Sequence, residues 1–134
     1  MITLKDYLTA SGKYPERENH KEVTEEVINN AKRLLKLVNG ILEELGIEKA
    51  TVSSGFRPSE VNSATKNAAK KSLHMMGRAI DLADPDGSLD KLLESRDDLK
   101  KKYEVWQESP SATKGWCHID DKDRGKRPKN TFIP

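Results

Sequence analysis

Three residues in the second half of the sequence, His74, Asp81 and His118, have types and spacings that could hold a metal ion. The first two lie in Ser72-Leu73-His74-Met75-Met76-Gly77-Arg78-Ala79-Ile80-Asp81-Leu82, and the third in Gly115-Trp116-Cys117-His118-Ile119-Asp120. Side chains on a strand alternate between its faces. With Ile80 and Leu82 turned toward a core, Asp81 faces the other way beside Ala79 and Ala83, whose small size leaves room around the carboxylate. In the later segment Trp116, His118 and Asp120 share a face, while Cys117 and Ile119 point away. Asp81 and His118 can therefore meet on one cleft face of adjacent strands, with His74 in the turn leading into the first. Two imidazoles and a carboxylate are the ligand set of a catalytic zinc site with a fourth position for water. Zinc there would lower the pKa of that water to roughly 7 and polarise a scissile carbonyl. Spacing alone also admits a blander reading, two ordinary histidines near a solvated aspartate.

The surrounding elements must hold these residues in place. Val23, Val27, Ala31, Leu34, Val38, Ile41 and Leu45 recur at helical spacing and predict a helix over Lys21–Leu45. Asn19 with Glu22 resembles a capping box, Gly46 suits the position past the C-terminus, and Gly40 is an interior weak point. A short strand is expected over Ala50–Ser53 and a second helix over Ser59–Lys71. Arg78–Ala83 reads as a strand, followed by the turn Asp84-Pro85-Asp86-Gly87. Ser88 is expected to cap a third helix reaching Lys102, with Leu89, Leu92, Leu93 and Leu99 as its apolar set. Tyr103–Gln107 and Trp116–Asp120 read as further strands. The pattern predicts an α+β fold, a small, mainly antiparallel sheet flanked by helices. One domain over 1–134 is expected: a helical part at 1–49, a metal-site core at 50–121, and a basic tail at 122–134 docked by Phe132 and Ile133.

Composition narrows the classes. Of 134 residues, 34% are hydrophobic and 34% charged, against about 25% charged in typical domains. The net charge is only +2, so the chain reads as a lean folded domain and not as a disordered one. That charge gives no general reason to expect nucleic acid. No apolar run approaches the roughly 18 residues of a membrane span. A lone cysteine, Cys117, allows no intrachain disulfide. The opening MITLKDYLTASGKYPE lacks the blocks of a secretory signal, so synthesis in the cytoplasm is expected.

Ser72 to Leu82 resembles the Ser-x-His-x-x-Gly-x-Ala-x-Asp motif of the zinc D-Ala-D-Ala carboxypeptidases and L-alanyl-D-glutamate endopeptidases, whose fold the hedgehog signalling domain shares. Ser53-Ser54-Gly55-Phe56-Arg57-Pro58 with Asn62 resembles the family's upstream segment, and Trp116-Cys117-His118-Ile119-Asp120 its final strand. These pieces occur in the family's order over about half of the chain. Pro110 to His118 is also similar to a segment of short phage and prophage cell-wall peptidases. The resemblance implies zinc at His74, Asp81 and His118, and hydrolysis of a bond in the peptidoglycan stem peptide. It implies that Arg57 positions a substrate carboxylate and that Ser72 bonds substrate or braces its loop. The family's usual acid, three residues before the last histidine, is replaced here by Gly115. Glu108, in a Trp-x-Glu-x-Pro context like that of the phage relatives, is the preferred general base. Asp120 is the alternative, or else it orients a ligand.

Other residues have plainer readings. Cys117 is expected in the core and His20 in solvent. Met75 and Met76 fill space beneath the turn, Trp116 walls the site or packs in the core, and the run Lys122–Lys129 is a solvated tail. A monomer is expected, acting at the bacterial wall after phage-assisted release or within a virion, with no membrane insertion. The competing classes are a non-catalytic zinc module of a phage structural or wall-binding protein and, more distantly, a nucleic-acid binder.

Overall fold

The computed structural model describes residues 1–10, 19–65 and 68–134. Helix α1 spans Leu4–Thr9, and α2 spans Glu25–Glu44. Strand β1 is Val52–Ser54, and the short α3 is Ser59–Ala64. A single 3-10 turn over Leu73–Met76 leads into β2, Ala79–Asp84. Helices α4 (Ser88–Glu94) and α5 (Asp97–Lys102) precede β3, Trp106–Glu108. A second 3-10 turn over Pro110–Ala112 joins β3 to β4, Gly115–Asp120, and β5 is Thr131–Phe132. The five strands form one sheet in the order β1-β2-β4-β3-β5. All pairs are antiparallel except β3 with β5. The fold is therefore α+β, with a small and mainly antiparallel sheet.

The two faces of the sheet have different tasks. Ile80, Leu82, Cys117 and Ile119 point inward to a core shared with Leu34, Val38 and Ile41 of α2 and with Leu93 and Leu99. Burying each large aliphatic side chain of this set contributes about 1.5–3 kcal/mol, so this face is the stabilising one. The opposite face carries Asp81, Glu108, His118 and Asp120. Among the described residues, no helix is long and apolar enough to cross a membrane.

Several expected boundaries move, each for a local reason. Helix α2 begins at Glu25, not Lys21, because Thr24 caps it by accepting a hydrogen bond from Val27 N at 3.2 Å. Glu22 serves a different helix, accepting from Ser59 N at 2.8 Å and Ser59 Oγ at 2.7 Å. His20 is not solvated, since it bonds Glu60 at 2.8 Å and accepts from Glu22 N at 3.0 Å. Gly40 is a contact point, because a Cβ there would lie 2.7 Å from the Tyr103 ring. The second helix stops at Ala64. The third is broken at Ser95–Arg96 into α4 and α5, which leaves Leu92 exposed. Asp84, not Ser88, takes the free amides at the start of α4, accepting from Leu89 N and Asp90 N at 3.0 and 2.8 Å. Phe132 docks through β5, but Ile133 is 82% exposed.

Candidate metal centre

Antiparallel pairing sets Asp81 of β2 directly opposite His118 of β4. Neighbours across an antiparallel pair put their side chains on the same face, so alternation and register together bring these two groups together. The 3-10 turn supplies His74, and its construction explains why the turn closes there. Ser72 caps it, accepting from His74 N at 3.2 Å, and Gly77 ends it with a left-handed φ of +73°. A side chain at Gly77 would also strike Val27 O at 2.6 Å, so conformation and packing against α2 both require glycine. The turn is tied to the β1–α3 connection by Arg57 N donating to His74 O at 3.1 Å.

Ligand atoms of His74, Asp81 and His118 all lie within 4.8 Å of one another. His74 Nδ1 is 2.8 Å from Gly55 O, so it donates its proton there and leaves the Nε2 lone pair facing Asp81 Oδ2 at 3.4 Å. His118 places Nδ1 2.7 Å from Asp81 Oδ1 and Nε2 2.8 Å from Asp120 Oδ2. Each imidazole is thus turned by an outer acceptor so that its other nitrogen faces the shared point. With both His118 nitrogens facing carboxylates, a neutral ring can donate to only one, so the other needs a second proton or a metal ion. In the metal-free chain it is a second proton: burial opposes that charge, but Asp120 and Asp81 outweigh burial and push the pKa up to about 9. Burial likewise acts to raise the Asp81 carboxyl, yet His74 and His118 hold it below the ordinary carboxylate range. Two imidazole nitrogens and one carboxylate, nearly buried and converging, fit a zinc ion with its open coordination position.

A cavity of about 760 Å³ opens onto these ligands, and Arg57, Ser72, Glu108 and Asp120 also line it. Arg57 donates Nε–H to Ser54 Oγ at 3.0 Å and Nη2–H to Asp81 Oδ2 at 3.3 Å. Glu108 reaches the cavity directly from β3. Burial pushes its carboxyl above the ordinary glutamate value, while the charge of His118 opposes that rise. Asp120 is 1% exposed, and His118, Arg124 and the Lys122 amide all donate to it. Burial acts to raise its carboxyl, but His118 and Arg124 keep it low. Cys117 points into the core, where burial drives its thiol well above the ordinary value. Trp116 lines the cavity as a half-buried wall.

Sequence reasoning missed two groups at this site, the Gly55 carbonyl behind His74 and Arg124 behind Asp120. The Asp120–Arg124 spacing was the one available hint for the second. A separate cavity of about 550 Å³ around Trp106 includes none of the three ligands. His20, Glu22 and Glu60 form another cluster with metal-ligating atoms. There, hydrogen bonds among the three residues and to Ser59 engage both His20 nitrogens, both Glu22 oxygens and Glu60 Oε1.

An α+β sheet whose polar face gathers two imidazoles and a carboxylate in an open cavity presents the ligand set of a catalytic metal site. The chain matches the Peptidase M15 family over residues 13–120 and belongs to it, which makes it a zinc metallopeptidase. No curated protein and no solved structure matches it.

Proposed function

We propose that this metallopeptidase hydrolyses a peptide bond in the stem peptide of bacterial peptidoglycan, either the terminal D-Ala–D-Ala bond or the L-Ala–D-Glu bond, as an endolysin-like enzyme. The observation that carries the reading is the convergence of His74 Nε2, Asp81 and His118 Nδ1 on one point in the cavity wall. When bound there, zinc polarises the scissile carbonyl and acidifies water.

The remaining steps belong to the chain. Glu108 takes the proton of the attacking water and returns it to the leaving amine, the work of a general base and then acid. Its partly buried position and raised pKa suit a group that must hold a proton and then give it up. Asp120 orients His118, because its oxygens are already engaged by three donors. Arg57 has N–H groups beyond those spent on Ser54 and Asp81, and these grip a substrate carboxylate. Ser72 accepts from His74 N, and its hydroxyl proton is offered to substrate.

The site of action under this proposal is the bacterial wall, reached by phage-assisted release or within a virion. Mass spectrometry of purified peptidoglycan after incubation with zinc-loaded protein tests the reading and identifies the bond. Cleaved stem peptides that disappear on chelation are expected. Intact peptides from protein with a full complement of zinc would contradict the assignment of substrate.

A further inference from the structure

The family match ends at residue 120, yet the wall of the metal site continues beyond it. Arg124 grips both oxygens of Asp120, with Nη1 2.6 Å from Oδ1 and Nη2 3.0 Å from Oδ2. Such a fork fixes the plane of a carboxylate as well as its position. The guanidinium is itself clamped, 3.6 Å from the Phe132 ring centroid and 5.5 Å from that of Trp106. Phe132 lies edge-on to the His118 ring, with centroids 5.8 Å apart. An exposed pair of this type contributes little. Here the Arg124 side chain is 12% exposed and that of Asp120 only 1%. Removing the arginine therefore leaves a buried carboxylate held only by His118 and the Lys122 amide.

We propose that Arg124 is a positioning residue of the metal centre. By locking Asp120 it holds the hydrogen bond from His118 Nε2–H, and so keeps Nδ1 turned toward the metal. The inference rests on the reading of His74, Asp81 and His118 as ligands. It extends the working unit into the C-terminal segment, outside the region that matches the family. Arg127 provides an internal control. It lies over the same Trp106 ring at 5.8 Å and carries the same charge, but it is not among the partners of Asp120.

The test titrates zinc into the full chain against a chromophoric chelator, for wild type, Arg124→Met, Arg124→Lys and Arg127→Met. In parallel, nitrogen-15 spectra of the zinc-loaded proteins follow solvent exchange of the His118 Nε2 proton. Arg124→Met is expected to bind zinc about tenfold more weakly and to exchange that proton faster. Arg127→Met should stay within about threefold of wild type in affinity, with exchange unchanged. Arg124→Lys, which keeps the charge but loses the fork, should fall between them.

Affinity within about threefold of wild type in folded Arg124→Met would overturn the proposal. So would weakening without faster exchange, or equal weakening in Arg127→Met. Should Arg124→Met fail to fold, Arg124→Lys decides: weakening beyond about threefold supports the proposal, and less overturns it. Wild-type protein that takes up no zinc would overturn the underlying metal-centre reading instead.

Discussion

Two buried polar clusters flank strands β3 and β4, and they are built on opposite plans. On the inner side Lys100, Gln107, Asp90 and Thr113 form a closed set. Lys100 Nζ donates to Gln107 Oε1 at 3.1 Å and Thr131 Oγ1 at 2.8 Å, and Gln107 Nε2 donates to Asp90 O and Oδ1, both at 2.8 Å. Thr113 Oγ1 donates to Asp90 Oδ2. Donors alternate with acceptors, so the network needs nothing from outside. On the outer face His74 Nε2, His118 Nδ1 and the Asp81 carboxylate converge, and all three are potential ligands. In the metal-free chain a proton on His118 and an N–H of Arg57 satisfy Asp81, and loss of that proton leaves both histidine nitrogens as acceptors for one cation. Burial and polarity are common to both clusters, and what separates them is that the outer one holds together through a His118 proton that a metal ion can replace.

Removing a ligand of the outer cluster should have the largest effect. Asp81→Ala or His118→Ala should lose zinc, reduce peptide hydrolysis to background, and abolish the fall in Tm that chelation causes in wild type. Metal analysis and thermal melts with and without chelator measure these effects. Glu108→Gln should lower kcat/KM by about 10²–10⁴-fold with zinc content unchanged, since it removes proton transfer and not a ligand. Steady-state kinetics alongside metal analysis checks it.

In the closed cluster the effects should appear as stability. Asp90→Ala leaves the Thr113 hydroxyl and one N–H of Gln107 without their acceptor. At about 1–3 kcal/mol for each unsatisfied buried group, denaturant midpoints should fall clearly, while zinc per folded chain stays at the wild-type level. The smallest effect concerns pH. Burial lowers the pKa of Lys100 below its ordinary value of 10.5. The unfolded chain therefore binds more protons in the window just below that value, and wild-type stability gains from this residue as pH rises through it. Lys100→Met should lack that gain, so the stability difference should shift in favour of wild type between neutral pH and about pH 10. Denaturant titrations at several pH values read it.

Much of the metal centre was legible because strand alternation is strict. Once Ile80 and Leu82 were assigned inward, Asp81 had to face out, and the same logic separated His118 from Cys117. The register of Asp81 with His118 was not legible, since pairing depends on turns and packing distant in sequence. The starts of α3 and α4 were legible but the side chains that cap them were not, since Glu22 reaches α3 from far along the chain and Asp84 takes the place expected of Ser88. The basic tail looked solvated by composition, yet Arg124 folds back onto Asp120 and lies over the Phe132 ring, near that of Trp106. Composition cannot reveal a contact between a tail and a strand. Gly40 looked like a flaw within its helix for the same reason, until Tyr103 was placed against it.

Anomalous diffraction at the zinc edge from crystals of the zinc-loaded protein tests the central claim most directly. The account predicts one strong peak, bonded to His74 through Nε2, to His118 through Nδ1 and to the Asp81 carboxylate. A peak at the His20–Glu22–Glu60 cluster instead, or a metal bonded to His118 through Nε2, would contradict it.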